Sequence, residues 1–513
     1  MALGSFAWTE RAVRAGGAIA ALPKRDSAVA ALIIFLCYCS GKVIYNVFFH
    51  PLSRYPGPIL AKITKIPMVL AKYRGDAHWF RRLHEHYGDT VRVAPNEISY
   101  TDPQAWKDIY GFRKGKVGNF PKDMTFYGPD AAGGGGLFRA NDESHARQRR
   151  VFSNAFSEKA LLQQEPILRR YVDLLVNALY DALKHDPDPK IDIERWYNFT
   201  TFDIMADLTF GEPLHLLEDQ RLEGFVKNVT SFLKLQSLTQ ILRYYPAFKM
   251  ILSPLFIPKS VQEKQAKHNQ ESINKVERRL NRNTERADIW SLVLNREGDQ
   301  GLSVKEMHAN GITFMAAGTE TTATALTGLT YHLLTAPEKL KKLTTEIRSA
   351  FQKEEELTLS SLARLDYLAA CFEEGLRMYP PVPNGPPRKV SKNGGIVCGH
   401  WLPEDTTCYV SSFAAYRSER YFKEPNSFIP ERWLGAEEFA SDARAVLQPF
   451  STGPRNCLGK NLAYHEMRLI LARVLWNFDL ELCDESRNWT DQRVFVVWEK
   501  PPLVVRVRPA VRD

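Results

Sequence analysis

Apolar residues fill one long stretch near the N-terminus, Ala28 to about Phe49, broken only towards its end by Lys42 and Asn46. About 20 such residues cross a bilayer as a helix. A secretory signal peptide is the alternative, but no convincing small-residue cleavage site follows. Tyr55-Pro-Gly-Pro58 reads instead as a hinge leaving the membrane. Three further runs carry helical signals. Ser303-Val-Lys-Glu306 has the form of a capping box and opens a run to about Leu334, with Pro337 just beyond. Leu365 to Met378 is mostly apolar and stops before Pro380-Pro381, and Lys460 to Asn477 reads as a third helix. The Asp-Pro repeats between Lys184 and Lys190 mark an exposed turn. Length alone would suggest about three domains. No long Ser/Gly-rich or Pro-rich linker, internal repeat or low-complexity tract divides the 513 residues. The pattern therefore predicts an N-terminal anchor over 1–50, its membrane helix at about 28–49, and one large domain over 51–513.

Two places break the pattern, and both suggest chemistry. Just before the third helix stands Phe450-Ser-Thr-Gly-Pro-Arg-Asn-Cys-Leu-Gly459, which fixes Phe450, Gly453, Arg455, Cys457 and Gly459 at the spacing FxxGxRxCxG. At roughly 5% usage per residue type, such a set arises by chance in on the order of one in several thousand chains of this size. The spacing suits presentation of a cysteine thiolate to a haem iron. Glycines permit tight turns and a close backbone approach, Phe450 can pack beside the sulfur, and Arg455 is a fixed cationic fork for a haem propionate. A helix start just downstream favours the anionic thiolate. An inert buried cysteine is the competing reading. The second break is Ala317-Gly-Thr-Glu-Thr-Thr322, inside the long predicted helix. Glycine and threonine are poor helix-interior residues, and threonine hydroxyls can bond back to the preceding turn and bend a helix. A local opening there would hold oxygen and water; a Thr-rich patch on a core helix is the plainer reading of the segment alone.

Glu374-Gly-Leu-Arg377 puts an acid and an arginine on one helix face. Such pairs are common on solvated faces, but this one ends an apolar run, and Phe428-Ile-Pro-Glu-Arg-Trp433 follows. Arg432 would complete a buried Glu374–Arg377–Arg432 network, architectural in role because buried charges need excellent geometry to offset desolvation. The set AGTETT, EGLR, FIPERW and FSTGPRNCLG, in this order, resembles the cytochrome P-450 superfamily of haem-thiolate monooxygenases over roughly Pro51 to Pro509.

The resemblance implies a mainly α fold with small β-sheets and haem held between a long central helix and the Cys-ligand helix. It makes Cys457 the axial ligand of the haem iron, Glu320 and Thr321 the acid–alcohol pair that handles protons during oxygen activation, and Glu374, Arg377 and Arg432 a structural triad. Asp142-Glu-Ser-His-Ala-Arg-Gln-Arg-Arg150 resembles the family's propionate-binding helix, with His145 and Arg149 one turn apart; relatives often carry tryptophan at the first place. Arg388, in Pro386-Pro-Arg-Lys389, resembles a further propionate partner. Tyr416-Arg-Ser-Glu419 departs from the His-Arg-Asp-Pro of many relatives, which concerns the local turn. His50-Pro-Leu-Ser-Arg-Tyr-Pro-Gly-Pro58, Ala155-Phe-Ser-Glu-Lys-Ala160 and Tyr197-Asn-Phe-Thr-Thr-Phe-Asp203 resemble fungal microsomal members of the isotrichodermin-hydroxylase type, which decorate terpenoid and polyketide natural products.

That resemblance implies haem b as cofactor, molecular oxygen, and NADPH-derived electrons from NADPH–cytochrome P-450 reductase, with cytochrome b5 as a further partner. It implies an endoplasmic-reticulum membrane location, with a single-pass anchor and a cytosolic catalytic domain. Charges flanking the anchor leave orientation open, because Lys24 and Arg25 oppose Lys42, Arg54 and Lys62. The seven cysteines, two of them (Cys37 and Cys39) in the anchor, show neither CxxC zinc spacing nor CxxCH, which suits a reducing compartment. The net charge of +9 comes with no basic run interleaved with aromatics, so nucleic acid is not an expected partner. Arg147, Arg149, Arg150 and Lys460 form a candidate docking patch for an acidic electron donor. The expected pocket lining is Lys122–Leu137, Phe232–Phe256, Phe314–Thr321, Val382–Pro386 and Trp498–Leu503, mainly apolar, which suits a hydrophobic small molecule. Tyr244–Ile257 reads as a lid, a membrane-contact loop or core packing. Two other functions stay open at this point: a haem-thiolate isomerase or dehydratase that needs no external electrons, and a non-catalytic haem-binding membrane protein.

Overall fold

A computed structural model of the chain describes residues 24–113, 118–128, 135–219, 223–246, 259–282, 286–294 and 301–511. Helices dominate, and the longest is the central helix Val304–Leu334. Its start is locked by the predicted capping box: Ser303 N donates to Glu306 Oε2 at 2.9 Å and Ser303 Oγ accepts from Glu306 N at 3.3 Å. It stops at Thr335, before the helix Pro337–Ala350. From Thr319 to Leu333 every residue except Thr321 is buried. The burying partners are the helices Ile193–Phe210, Lys259–Leu280, Asp366–Met378 and Lys460–Asn477. Ile193–Phe210 is buried on nearly all sides, its enclosed polar residues Asn198, Asp203 and Asp207 included. It crosses so close that a Cβ on Gly318 would fall 2.7 Å from Met205 Sδ. Packing thus accounts for the glycine of the AGTETT segment.

The β-structure is small and peripheral. Glu97–Tyr100 pairs antiparallel with Thr90–Ala94 and parallel with Thr407–Val410, which pairs antiparallel with the short strand Arg388–Lys389. A second sheet joins Lys190–Asp192, Val504–Pro509 and Phe478–Leu482. The first sheet matters to the site because it fixes Arg388, with Lys122 bridging to it across the edge.

The N-terminal helix Lys24–Ile44 continues into a wider turn, Tyr45–Phe49. The most apolar 18-residue window of Asp26–Phe49 has a mean hydropathy of 2.0 and is not buried at all. Among the described residues it is the one helix long and apolar enough to span a membrane. The Tyr55–Pro58 segment is a fixed joint and not the hinge expected from its prolines. Tyr55 is buried, and Pro56 O accepts from Arg92 N at 2.7 Å. The buried Arg92 guanidinium also donates to Asn46 O at 2.9 Å and to Pro95 O at 2.7 Å, tying the end of the N-terminal helix to the sheet. Residues 129–134 of the expected pocket lining, and 247–257 of the expected lid, lie outside the described residues; the part before the lid is helical to Tyr244.

Candidate active site

The Cys457 loop is shaped by its glycines unequally. Gly453 takes φ +76°, and a Cβ there would fall 2.0 Å from Tyr110 O. Only glycine satisfies both demands. Gly459 has φ −86°, and its Cβ would meet nothing closer than Phe156 Cε1 at 3.9 Å. Protein packing alone leaves room for a side chain at Gly459. Cys457 N donates to Phe450 O at 2.9 Å, and helix Lys460–Asn477 begins right after Gly459. The cysteine is exposed, yet from within. Surrounding protein pushes its thiol above the ordinary value, against the Gly459 N–H and the charges of Arg149 and Lys460. Phe450 stands beside Tyr464, ring centroids 5.1 Å apart.

Cations converge on one side of this loop. Arg455 donates to Asp142 Oδ1 through Nε (3.1 Å) and Nη2 (2.6 Å), while its Nη1 is buried without a partner among the described residues. Arg388 Nη1 is likewise buried and unpartnered. Burial pulls His145 down to about 3, with Arg455, Lys122 and Arg149 adding to the fall. Burial, Arg455 and Arg388 bring Lys122 down to about 6. Mutual repulsion of this kind, with orphaned guanidinium donors, fits a bound group carrying two carboxylates, as haem does. Arg149 turns to the cysteine loop itself. Its Nη1 donates to Asn456 O at 2.7 Å and its Nη2 to Asn456 Oδ1 at 2.5 Å, so it braces the cysteine loop. Lys122 opens a stretch expected to line the pocket, and its bridge to Arg388 in the sheet places it among these cations.

The central helix approaches the same loop through two rings: Phe156, beside Gly459, meets Phe314 edge-on at 5.6 Å. One turn on, Ala317 is exposed, and Thr321 follows on the same face. The Thr321 hydroxyl donates to Ala317 O at 2.6 Å and Thr319 Oγ1 to Met315 O at 2.7 Å, the back-bonding expected of threonine. The helix nonetheless runs uninterrupted through this segment. Glu320 is fully buried; Oε1 accepts from Lys500 Nζ, and Oε2 has no partner among the described residues. The exposed face at Ala317 and Thr321, the enclosed cysteine and the cationic cradle together fit a flat dianionic haem.

Glu374, Arg377 and Arg432 meet as the spacing anticipates. Glu374 accepts from Arg377 Nε and Nη2 (both 2.8 Å), Arg432 Nε (3.1 Å), Trp433 Nε1 (2.9 Å) and Ile429 N (2.8 Å). Two buried guanidiniums and one carboxylate leave a positive charge. Asp442, which sequence reasoning missed, balances it by accepting from Arg432 Nη1. The charge imbalance of the predicted trio was the signal that a second acid was needed. Tyr416, at the departing turn, gives its carbonyl to Arg377 at 2.8 Å.

A cavity of about 80 Å³ draws on three of the expected lining segments, through Phe126, Ser237, Gln240, Val382 and Asn384. Lys72, Asp76, Phe80 and Val494 join it from elements that no motif marked. Trp498 packs instead of lining: it stacks on Tyr379 at 4.7 Å and donates to Pro380 O at 2.7 Å. The expected donor-docking patch is also reduced. Arg147 is turned inward onto Glu306 and the Gly301 carbonyl, and Arg149 onto Asn456, which leaves Arg150 and Lys460 exposed.

A cysteine loop facing a long helix that carries an acid–threonine pair has the arrangement of a haem-thiolate oxidoreductase. The sequence profile of the cytochrome P-450 family matches residues 55–507, and the chain belongs to that family as a monooxygenase. It is 47% identical over 483 residues to the cytochrome P-450 monooxygenase efuB of Hormonema carpetanum, covering 93% of this chain and 95% of that one. Similarity to the cytochrome P-450 monooxygenase FUM2 of Gibberella moniliformis is 46% over 469 residues, 91% of this chain and 100% of the relative. For the monooxygenase lcsI of Purpureocillium lilacinum it is 41% over 487 residues, 94% of each. Membership implies haem, oxygen, a reductase that supplies electrons and a hydrophobic substrate.

Proposed function

We propose that the protein holds haem b through Cys457, receives NADPH-derived electrons from its reductase with cytochrome b5 as accessory donor, and hydroxylates or epoxidises a hydrophobic natural-product intermediate of a fungus. The observation that carries this reading is Thr321, the single non-buried position between Thr319 and Leu333, on the helix that reaches the Cys457 loop through Phe314 and Phe156. When bound, the haem supplies oxygen activation, with the thiolate donating electron density that favours O–O cleavage. Gly459 N–H and the charges of Arg149 and Lys460 favour the thiolate form of Cys457. The unpartnered Nη1 atoms of Arg455 and Arg388, with neutral His145 beside them, hold and orient the propionates. The Thr321 hydroxyl, released from Ala317 O, holds a water and passes on a proton, and Glu320 resupplies it. Glu374, Arg377 and Arg432 keep the architecture. The exposed apolar helix Asp26–Phe49 supports a membrane anchor, and the reading puts that membrane at the endoplasmic reticulum with the catalytic domain in the cytosol.

Thr321→Ala tests the relay. In reductase-reconstituted membranes it should keep the wild-type carbon monoxide difference spectrum while NADPH consumption diverts to peroxide, with product per NADPH falling at least about tenfold. Full coupling in this variant would remove Thr321 from the mechanism, and product formed without NADPH would turn the reading to an isomerase.

A further inference from the structure

Behind the Thr321 turn, Lys500 is buried between two acids. It lies between the strands Val497–Glu499 and Val504–Pro509 and is 2% exposed. Its ammonium donates to Glu320 Oε1 and, at 2.8 Å, to Thr324 Oγ1 one turn further along the central helix. On its other side, Glu194 Oε1 is 3.6 Å away, in the first turn of helix Ile193–Phe210. Glu320 is wholly buried, whereas Glu194 is 16% exposed. The three groups therefore form a line from the protein surface to the acid next to Thr321. At its inner end Glu320 Oε2 has no partner among the described residues.

Two carboxylates share one ammonium in a dry place, where an unbalanced charge is costly. A proton on Glu194 brings the trio to neutrality. Burial pushes the Glu194 carboxyl up, Lys500 opposes, and Glu320 and Asp192 add to the rise, which reaches about 7. Burial pulls Lys500 down, but Glu320 and Glu194 outweigh it and keep the ammonium charged. The groups facing Glu194 are thus Lys500 and Glu320 from other elements, with Asp192 and Asn198 from its own neighbourhood. Tyr379 also faces the pair, its hydroxyl pushed up by burial and by both acids.

We propose that Glu194 and Lys500 are positioning residues that feed protons from solvent to Glu320, an inference that rests on the reading of Glu320 as the acid of the acid–alcohol pair. Lys500 passes one N–H proton to Glu320 as Glu194 gives its carboxyl proton to Lys500; Glu194 then takes a proton from water at its exposed edge. The ammonium is restored and the net charge of the trio during the internal step is unchanged. The 3.6 Å gap exceeds a hydrogen bond, and the flexible four-carbon stem of lysine closes it.

The test uses full-length, haem-loaded protein in membranes with its reductase. Substrate-free NADPH consumption is divided between peroxide and water, across pH and in heavy water, for wild type, E194Q, K500M, K500R and E320Q. E194Q is decisive, because it keeps the Lys500–Glu320 pair and one balanced buried charge. E194Q and K500M should raise the peroxide-to-water ratio at least about tenfold and erase a pH step near 7. K500R should restore part of the flow, and neither effect should add to that of E320Q. Independently of turnover, infrared difference spectra of the wild type should carry a protonated carboxyl band that titrates near 7 and is absent from E194Q. A wild-type partition, isotope effect and infrared band in E194Q, while E320Q still uncouples, overturn this proposal and leave the role of Glu320 standing. An E320Q protein that partitions like wild type overturns both.

Discussion

Gly453 and Gly459 belong to one motif and answer to different constraints. At Gly453 a positive φ alone costs a side chain roughly 1–2 kcal/mol, before the clash with Tyr110 O is counted. Gly453→Ala should therefore fail to accumulate as folded, haem-containing protein. Gly459→Ala meets no protein atom within 3.9 Å and should fold, its effect confined to haem content; heat-induced unfolding and haem absorbance of the two variants separate these outcomes. The residues that sequence exposed, Cys457, Arg455, Glu320, Thr321 and Glu374, all sit in short motifs whose spacing is itself the constraint. Lys122 and Lys500 fell inside stretches expected to line the pocket, but their charge roles, like that of Asp442, were not legible, because each acts on a partner far along the chain and no local pattern marks such a side chain. Arg149 was legible as a cation, but whether it faces Asn456 or a propionate depends on the loop that folds against it.

At the scale of elements, the buried tetrad of Glu374, Arg377, Arg432 and Asp442 joins the helix Asp366–Met378 to the Pro430–Leu434 turn. Removing one partner from a buried ion pair costs about 3–5 kcal/mol. Glu374→Gln and Asp442→Asn should both lower the unfolding temperature and the haem-loaded fraction, as calorimetry and haem absorbance would read. An Asp442→Asn protein as stable as wild type would remove Asp442 from the tetrad. Burial raises the Glu374 carboxyl, but Arg377, Arg432 and the Ile429 N–H pull it further down, below its ordinary 4.5. A carboxyl depressed in the folded state contributes stability above its unfolded value and loses it as the pH falls through the folded one. Thermal stability should therefore decline below about 4.5, and a pH-stability profile flat through that range would contradict this. The element boundaries most legible in the sequence were those with local signals. Ser303 and Glu306 mark the start of the central helix, and Gly459 precedes the start of Lys460–Asn477. The Tyr55–Pro58 joint was misread as a hinge because its rigidity comes from Arg92, a residue of another element.

For the whole molecule, the exposed apolar helix stands apart from the body, joined to it through the sheet-bound Tyr55–Pro58 segment. Arg92 holds Asn46 O, so the joint extends into the end of the anchor. Deleting residues 1–44 should give a protein that leaves the membrane fraction with its haem spectrum intact. Deleting 1–54 strips the buried Arg92 of its Asn46 carbonyl partner and should lower stability; equal melting temperatures for the two truncations would contradict the locked joint. Everything in the catalytic account depends on Cys457 as the haem ligand. The most direct measurement is the carbon monoxide difference spectrum of the reduced, membrane-expressed protein, for wild type and Cys457→Ala. A red-shifted thiolate-type band in the wild type that vanishes in the variant is the predicted result. Its absence from folded, haem-replete wild type, or its persistence in Cys457→Ala, would contradict the account.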